Sequence, residues 1–400
     1  MSRTILDLHV IQTVPPSNIN RDDTGAPKTA VYGGVRRSRV SSQAWKRATR
    51  EAFTELLEPA ELGVRTRKVA ELVADSIQQQ DDTVERAEAV KLAAETVQIA
   101  TGSKIEVPKR KAKSAKDADA TDTDAEQAAP ESSYLMFLSS RQRDGLAELA
   151  LRGREDIKAF FKSKENKAEA KQIANTRHSV DIALFGRMVA DAADINVDAS
   201  TQVAHAISVH AAETEADYYT AVDDRNTDEE SGAGMIGTVE FNSATLYRYA
   251  ALNVDQLAKN LGPGIRDDDP AADPVRRAVE AFVRGFISSM PTGKVNTFGN
   301  HTLPDAVVVK LRSDRPISFV GAFEQPTKGD SGHVREACEK LAKYIPDVES
   351  TYDAAEGTET WVMRVGDATA DLAGLGTEVT LSELVTAVGR AVQQRREQGA

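Results

Sequence analysis

The sequence predicts an α+β fold in which a large helical segment interrupts a sheet-forming framework. Three observations indicate this class: an apolar strand near the start of the chain, a long helical stretch in the second quarter, and several strand-like segments after it. A strand and a helix, a helical interruption, then strands and a closing helix are typical of an α+β domain with a large insertion.

The first elements follow from residue pattern and capping. Ile, Leu and Val dominate a strand over 5–14, two prolines end it, and a polar loop follows over 17–40. Ser41 or Ser42 is then the N-cap of a helix that runs to about Leu57.

This helix has two chemically different faces. At 100° per residue, one face carries the apolar residues Trp45, Ala48, Ala52 and Leu56. The opposite side carries Gln43, Lys46, Arg47 and Arg50. The N-terminus of a helix adds N–H groups and the positive end of the helix dipole, so this side is suited to phosphates.

Helices are predicted from about 65 to 102, where Gly102 is the C-terminal stop. The segment 109–133 contains no large apolar residue, and we expect a disordered insertion or loop there. A short strand over 134–138 and helices to about Ile173 should follow.

The second half of the chain is predicted to be rich in strands. Strand character is found in the segments 179–188, 237–251 and 306–311, and in two short segments beyond Pro316, 317–320 and 360–365. Apolar residues at helical spacing predict helices over 274–288 and 382–394.

Charge is distributed unevenly along the chain. The net charge is −12, yet the segment 24–50 contains seven basic residues and no acidic one. A concentrated basic patch on an acidic body is typical of a protein that holds a polyanion at one place. The alternative is a solvated charged face, although such faces usually mix both signs.

No motif of catalysis or metal binding stands out. Phosphate-binding loops, nucleophile elbows and dinucleotide fingerprints are missing from the sequence, and His205 and His210 are five residues apart, which does not stack two ligands on one helix face. The carboxylate clusters are Asp22-Asp23, Asp223-Asp224 and Asp267–Asp269, and none carries an accompanying metal motif. We therefore expect no enzymatic activity and no cofactor.

Localisation is predicted from what the sequence lacks. It has no stretch approaching eighteen apolar residues, no apolar signal region near its start, and a single cysteine, Cys338. These features predict a cytoplasmic protein with no membrane partner.

Several segments together resemble the CasC-type backbone subunit of the type I-E CRISPR Cascade complex. The matching segments, in the order and spacing of that family, are 20–23 (NRDD), 33–48 (GGVRRSRVSSQAWKRA), 180–188 (VDIALFGRM), 203–210 (VAHAISVH), 217–224 (DYYTAVDD) and 246–253 (LYRYAALN). A weaker match runs through 291–309, and the family commonly has Trp-Phe where this chain has Tyr218-Tyr219.

The resemblance implies a modified RRM- or ferredoxin-like palm with a helical fingers insertion and a β-hairpin thumb. Its boundaries would be 1–58, 178–200, 237–312 and 313–400 for the palm, 59–177 for the fingers with the insertion 108–133, and 201–236 for the thumb.

The resemblance also implies a non-catalytic subunit that stacks in several copies along a guide RNA (crRNA) and presents it for pairing with target DNA. Partners would be crRNA, target DNA, further copies of the chain, Cascade subunits of the CasA, CasB, CasD and CasE types, and indirectly the helicase-nuclease.

The implied RNA-binding residues fall into three groups. Phosphates would be held by Lys28, Ser41, Gln43, Lys46 and Arg50, with Asn20 and Arg21 nearby. The same basic segment contributes Arg36, Arg37, Arg39, Ser42 and Arg47. Met188 would press on bases, and Tyr219 and Thr220 would lie at a kink in the RNA.

Two further interpretations concern nucleic-acid contacts. The lysines Lys158, Lys162, Lys164, Lys167 and Lys171 are candidates for binding target DNA. Tyr247 and Tyr249 share a strand face and have the chemistry for base stacking, although strand tyrosines usually pack in a core.

The strongest alternative function is an RRM-like, metal-independent endoribonuclease that processes the guide transcript. It would use His205, His210 or a tyrosine as general acid or base. A scaffold that only holds proteins is the third hypothesis.

Overall fold

The computed structural model describes residues 3–107, 130–188, 195–221, 235–262, 273–354 and 356–399. The chain divides into two compact units. The first consists of Met1–Leu56, Thr201–Asp255 and Arg276–Ala400, and the second of Leu57–Ser200 and Gln256–Val275. The segment 178–200, which the resemblance assigns to the palm, belongs to the second unit.

The elements of the described ranges are numbered along the chain. The strands are β1 (Ile5–Ser17), β2 (Thr29–Tyr32), β3 (Val35–Val40), β4 (Gly63–Thr66), β5 (Ile105–Glu106), β6 (Glu131–Ser132), β7 (Met136–Ser139), β8 (Thr201–Val203), β9 (Ala206–Ser208), β10 (Glu215–Ala221), β11 (Met235–Asn253), β12 (Ala306–Arg312), β13 (Glu359–Arg364) and β14 (Thr377–Glu378). The helices are α1 (Ser42–Leu56), α2 (Val69–Gln80), α3 (Arg86–Thr101), α4 (Ser140–Arg152), α5 (Ile157–Phe160), α6 (Lys164–Ala174), α7 (Val180–Phe185), α8 (Val254–Leu261), α9 (Asp273–Ser288), α10 (Val295–Phe298), α11 (His333–Thr351) and α12 (Leu381–Gly399).

A large mixed sheet organises the first unit. Its strand order is β14-β13-β12-β1-β11-β9-β3-β2, and only the β13–β14 pair is parallel among the described strands. β1 pairs with β11 on one side and β12 on the other, and ten of its thirteen residues are buried in this central position. The predicted α+β class is confirmed in this coarse form.

Both faces of the sheet carry apolar clusters. One cluster surrounds Trp45 of α1 and Leu246 of β11, and the other joins Tyr247 to Phe319 and to Leu341 of α11. Because successive residues of a strand point to opposite faces, Leu246 and Tyr247 belong to different clusters. The helix predicted from Ser41 or Ser42 is α1, with Trp45 and Ala48 buried.

The prediction for the region beyond Pro316 is partly wrong. Residues 317–320 form no strand, and Val320–Phe323 is a short 3-10 helix. The helix α11 was not predicted, although its buried residues Cys338, Leu341 and Ile345 recur at helical spacing. Phe319 is fully buried by tertiary packing, so the segment is apolar for a reason other than strand formation.

The second unit is mainly helical. Its core is formed by α2 to α6, and two short antiparallel pairs, β4–β7 and β5–β6, lie in the same unit. Gly102 ends α3 with a left-handed φ of 73°, as predicted. Most of the predicted insertion 109–133 lies outside the described residues, but its last residues enter β6.

We predicted a strand over 179–188, but Val180–Phe185 forms the helix α7. A short buried apolar run does not distinguish helix from strand by periodicity. Gly186 ends the helix with a φ of 78°, and its N–H donates to the carbonyl of Ile182. A Cβ at Gly186 would lie 2.7 Å from the carbonyl oxygen of Val197, so the turn requires glycine.

None of the helices in the described ranges is long and apolar enough to cross a membrane.

Candidate nucleic-acid interface

A groove of about 790 Å³ opens on the first unit between the loop 19–25, the start of α1 and the segment 291–294. It brings together six residues that the sequence predicted for RNA binding. These are Asn20, Arg21, Lys28, Ser41, Gln43 and Arg47. These six residues therefore converge on one surface although up to 27 positions separate them.

Hydrogen bonds hold the loop beside the helix. The side-chain oxygen of Asn20 accepts from the Ser41 N–H at 2.8 Å, and its backbone carbonyl accepts from the Lys28 N–H at 3.0 Å. Ser41 is buried, and its hydroxyl accepts from the Ala44 N–H at 3.4 Å. Asn20 and Ser41 thus position the helix N-terminus that faces the groove.

Asp22 organises the outer turn of the loop. Its carboxylate accepts from the Thr24 hydroxyl at 2.7 Å, from the Thr24 N–H at 2.9 Å and from the Ala26 N–H at 3.0 Å. These hydrogen bonds, the Thr24 hydroxyl foremost, lower the pKa of the Asp22 carboxyl. The Asp22 carboxylate thus stabilises the turn. This structural role explains why an acidic residue lies beside a basic groove.

The groove is lined by acidic as well as basic side chains, whereas the segment 24–50 contains no acidic residue. Its lining side chains include the bases Arg21, Lys28, Arg47 and Lys294 and the acids Asp22, Asp23 and Glu51. Arg47 forms an exposed i,i+4 ion pair with Glu51 at 2.8 Å. An exposed pair of this kind is weak, so Arg47 can exchange Glu51 for a phosphate at low cost.

Lys294 is a groove residue that sequence analysis missed. It follows Gly293, where an added Cβ would lie 2.4 Å from the carbonyl oxygen of Ile19. Only glycine permits this approach of the two backbones. The one signal in the sequence was the weaker family match beginning at Pro291.

Arg37 corrects the prediction for the basic segment. Its side chain is fully buried, and it donates to the carbonyls of Tyr32, Ser208, Phe323 and Glu324 at 2.8–3.2 Å. Burial lowers the pKa of its guanidinium. Arg37 is therefore a structural residue that joins β3 to distant segments, and its donors do not face an RNA ligand.

The other residues of the basic segment remain accessible. Arg36 is exposed, while Ser42, Lys46, Arg39 and Arg50 are half-buried. Burial lowers the pKa of the Lys46 ammonium. These side chains extend a surface of basic character along β3 and α1.

The second unit contains the remaining predicted lysines and Met188. Met188 is 87% exposed. Lys158, Lys162, Lys164, Lys167 and Lys171 are all exposed in the α5–α6 region. Lys158 lies 3.7 Å from Glu95. On α6, Lys164, Lys167 and Lys171 share one face because they are three and four residues apart.

β10 pairs antiparallel with the first part of β11, and this strand pair, 215–221 with 235–241, is called the hairpin arm below. Tyr218 and Tyr219 are 62% and 40% exposed, and Thr220 is also exposed. Tyr219 is the cross-strand partner of Gly237, and a Cβ at Gly237 would lie 2.4 Å from the ring carbon Cζ of Tyr219. The tyrosine ring therefore occupies the space that a side chain at Gly237 would fill.

Tyr247 and Tyr249 are core residues, which excludes the base-stacking interpretation. The Tyr247 hydroxyl accepts from the Phe319 N–H at 3.0 Å, and the Tyr249 hydroxyl donates to the Asp7 carboxylate at 2.9 Å. Both rings are buried in the cluster under α11.

The two candidate acid–base histidines have different surroundings. His210 donates from Nδ1 to the Ala211 carbonyl at 2.7 Å and accepts at Nε2 from the Thr245 N–H at 3.1 Å. Its ring also stacks on His333 with centroids 4.0 Å apart. Both nitrogens of His210 are thus used by the backbone, whereas His205 is exposed beside Arg39.

Across the described ranges, no three His, Cys, Asp or Glu side chains are grouped to hold a metal ion.

Comparison with known proteins identifies the class. The chain belongs to the CT1975-like protein family (Cas_CT1975), which it matches over residues 6–387. A search of curated proteins gave no match. Family membership confirms the predicted CRISPR-associated class in its coarse form, and the CasC-type, type I-E assignment stays a prediction.

Two solved structures are similar to the chain over almost its whole length. One is a chain of a "CRISPR RNA-guided surveillance complex, pre-nicking", with 34% identity, a TM-score of 0.77, and coverage of 97% of this chain and 100% of that one. The other is a chain of a "CRISPR RNA-guided surveillance complex", with 31% identity, a TM-score of 0.67, and coverage of 96% and 99%.

Proposed function

We propose that this chain is a non-catalytic backbone subunit of a type I-E CRISPR surveillance complex. It binds guide RNA, stacks in several copies along it and presents it to target DNA. The observation that carries the proposal is the groove in which the loop 19–25 meets the N-terminus of α1. The similarity to chains of RNA-guided surveillance complexes supports the same assignment.

The groove suits a phosphate backbone of any sequence. The first turn of α1 lines the groove, which places the positive end of the helix dipole beside it, and Arg21, Lys28 and Lys294 supply charge. Contacts of this kind position a nucleic acid without reading its bases. Sequence discrimination is then left to base pairing between guide and target, as in other RNA-guided systems.

The hairpin arm supplies a second type of contact. Exposed aromatic side chains stack on bases in a sequence-tolerant way, and Tyr218 and Tyr219 are both exposed. We assign the arm as the thumb that kinks the RNA and reaches the next copy, and the sheet of the first unit as an RRM-like palm. The exposed lysines of α5 and α6 are proposed to contact target DNA.

The proposal is tested by size-exclusion chromatography with light scattering on guide RNAs of two lengths. The particle mass should rise in whole multiples of the protein mass with RNA length, and absorbance at 260 nm should co-elute. Replacing both Lys28 and Arg50 with Ala should release the RNA at moderate salt. The matched control is Lys343→Ala, an exposed lysine on α11. A wild-type chain that elutes free of RNA at low salt would contradict the proposal.

The same samples separate binding from processing. On a denaturing gel, RNA recovered from the particles should have its input length. A specific metal-independent cut would replace the proposal with the endoribonuclease hypothesis.

A further inference from the structure

His205 lies beside the basic segment, although sequence analysis considered it only as a possible acid–base residue. It precedes β9, in which Ala206 and Ile207 pair with Val40 and Arg39 of β3. Residues on diagonal positions of an antiparallel pair share one face. His205 and Arg39 are such neighbours, and Nδ1 of His205 is 2.9 Å from a terminal nitrogen of Arg39.

This contact determines which nitrogen of His205 carries the proton. A guanidinium has donors only, so Nδ1 of the neutral ring accepts and Nε2 bears the hydrogen. Arg39 is itself held by a second hydrogen bond, from Nε to the Thr29 carbonyl at 3.3 Å. The exposed imidazole therefore presents an oriented N–H donor on the surface of the sheet.

The surroundings of that donor favour an anion. Partial burial, followed by the positive charges of Arg39 and Lys28, lowers the pKa of His205, so the ring is neutral at and above neutral pH. Lys28 lines the groove, and its carbonyl accepts from the Arg39 N–H at 2.9 Å. A neutral donor flanked by two cations matches a phosphate oxygen, which accepts several hydrogen bonds at once.

We propose that His205 is a further RNA-contacting residue, whose Nε2–H donates to a non-bridging phosphate oxygen of the guide RNA that Arg39 and Lys28 also hold. The inference rests on the proposed RNA-binding function. It assigns a ligand-binding role to the His205 side chain in place of acid–base chemistry.

The test compares His205→Ala, His205→Gln and Lys28→Ala by fluorescence anisotropy with a short single-stranded RNA at about pH 8. His205→Ala should weaken binding about tenfold, the usual effect of losing one hydrogen bond to a charged partner. The slope of log affinity against log salt should not change, because a neutral donor releases no counterion. Lys28→Ala should reduce that slope by about 0.7.

His205→Gln provides two independent checks. The glutamine amide keeps an N–H donor and should recover part of the lost affinity. Between pH 7 and pH 8 the salt slopes of the wild type and of His205→Gln should be equal, because the lowered pKa keeps the histidine neutral in this range and a neutral donor releases no counterion. The charged groups facing the ring are Arg39 of β3 and Lys28 of the preceding loop.

Each negative outcome has a separate meaning. Wild-type protein that fails to bind RNA would overturn the proposed function and this inference with it. Normal binding by His205→Ala, with weakened binding by Lys28→Ala, would overturn the inference alone. RNA cleavage by the wild type that His205→Ala abolishes would instead assign the residue to catalysis. Melting curves of the variants confirm that each one is folded.

Discussion

Two neighbouring arginines on β3 have opposite environments. Arg36 is exposed, whereas Arg37 is fully buried and donates to four backbone carbonyls. Strand alternation places them on different faces, and the segment around Phe323 covers only one of these faces. The number of basic residues in the sequence is therefore larger than the number of positive side chains that a ligand can contact.

Replacing Arg37 with Met should lower the free energy of unfolding by about 3–5 kcal/mol, because several buried carbonyls lose their donor. The matched variant Arg36→Met should cost less than about 0.5 kcal/mol, as expected for an exposed position. Urea denaturation measures both. Equal and small effects would show that the buried hydrogen bonds of Arg37 contribute little.

We expect His178 to make the second unit sensitive to acid. It is buried and accepts from the Gln142 side chain at 2.9 Å, and burial, followed by the charge of Arg187, lowers its pKa to about 4. Between that value and the ordinary value near 6.5, the unfolded chain binds a proton that the folded chain does not. Stability should therefore fall as the pH drops below 6.5.

The expected loss from this one residue is roughly 2–3 kcal/mol at pH 4.5. His178→Asn keeps an acceptor but cannot titrate, so its stability should fall less between pH 7 and pH 4.5. The control is His301→Asn, the same substitution at an exposed histidine. Parallel pH curves for wild type and His178→Asn would contradict the assignment.

The bounds of helices and strands were predicted correctly where the sequence contains a clear capping residue or a clear apolar periodicity. The starts of β1 and α1 and the end of α3 lie within a residue or two of their predicted positions. The helix α7 and the missed helix α11 are the main errors. Short or mixed apolar runs acquire their conformation from the surfaces they pack against, and those surfaces come from distant parts of the chain.

In the hairpin arm, Gly237 of β11 lies opposite Tyr219 of β10. Gly237→Ala places a Cβ against the Tyr219 ring and should force the ring to move. We expect little change in melting temperature but poor assembly on a full-length guide RNA. Tyr219→Ala should have a similar effect, because it removes the ring proposed to stack on a base. Its free energy of RNA binding should be weaker by roughly 1–3 kcal/mol.

Electron microscopy of the particles measures this effect. Gly374→Ala is the control, because an added Cβ there meets nothing within 4 Å. Regular particles from Gly237→Ala would show that the seat of the Tyr219 ring does not matter for assembly.

For the molecule as a whole, a buried ionic network holds the first unit together. Arg312 of β12 contacts Asp7 of β1 at 2.9 Å and Glu349 of α11 at 2.6 Å, and Lys310 contacts the same glutamate at 3.0 Å. The network connects two sheet strands with the helix that covers them. Removing one partner would leave buried positive charge without compensation.

Glu349→Ala should therefore destabilise the first unit by about 3–5 kcal/mol. Hydrogen exchange measured by mass spectrometry should accelerate in peptides of that unit and stay unchanged in peptides from 57–200. Glu339→Ala, an exposed change on the same helix, is the control. Equal acceleration in both units would mean that they unfold together.

Features that depend on near neighbours could be predicted from the order of residues alone. The first strand, the capped helix after Ser42, the glycine stop at Gly102 and the basic segment 24–50 all follow from residues close together in the chain. Motif order also predicted a CRISPR-associated protein, and the family match over 6–387 confirms this coarse assignment.

Tertiary structure decided which of those residues face solvent and which distant residues join them. Arg37 is buried by a segment 286 residues away, and Lys294 enters the groove because Gly293 packs against Ile19. His205 acquires an oriented donor only when β9 pairs with β3. Burial and cross-strand contact depend on residues that are distant in the sequence and meet only in the folded chain. The order of residues within one segment therefore does not predict them.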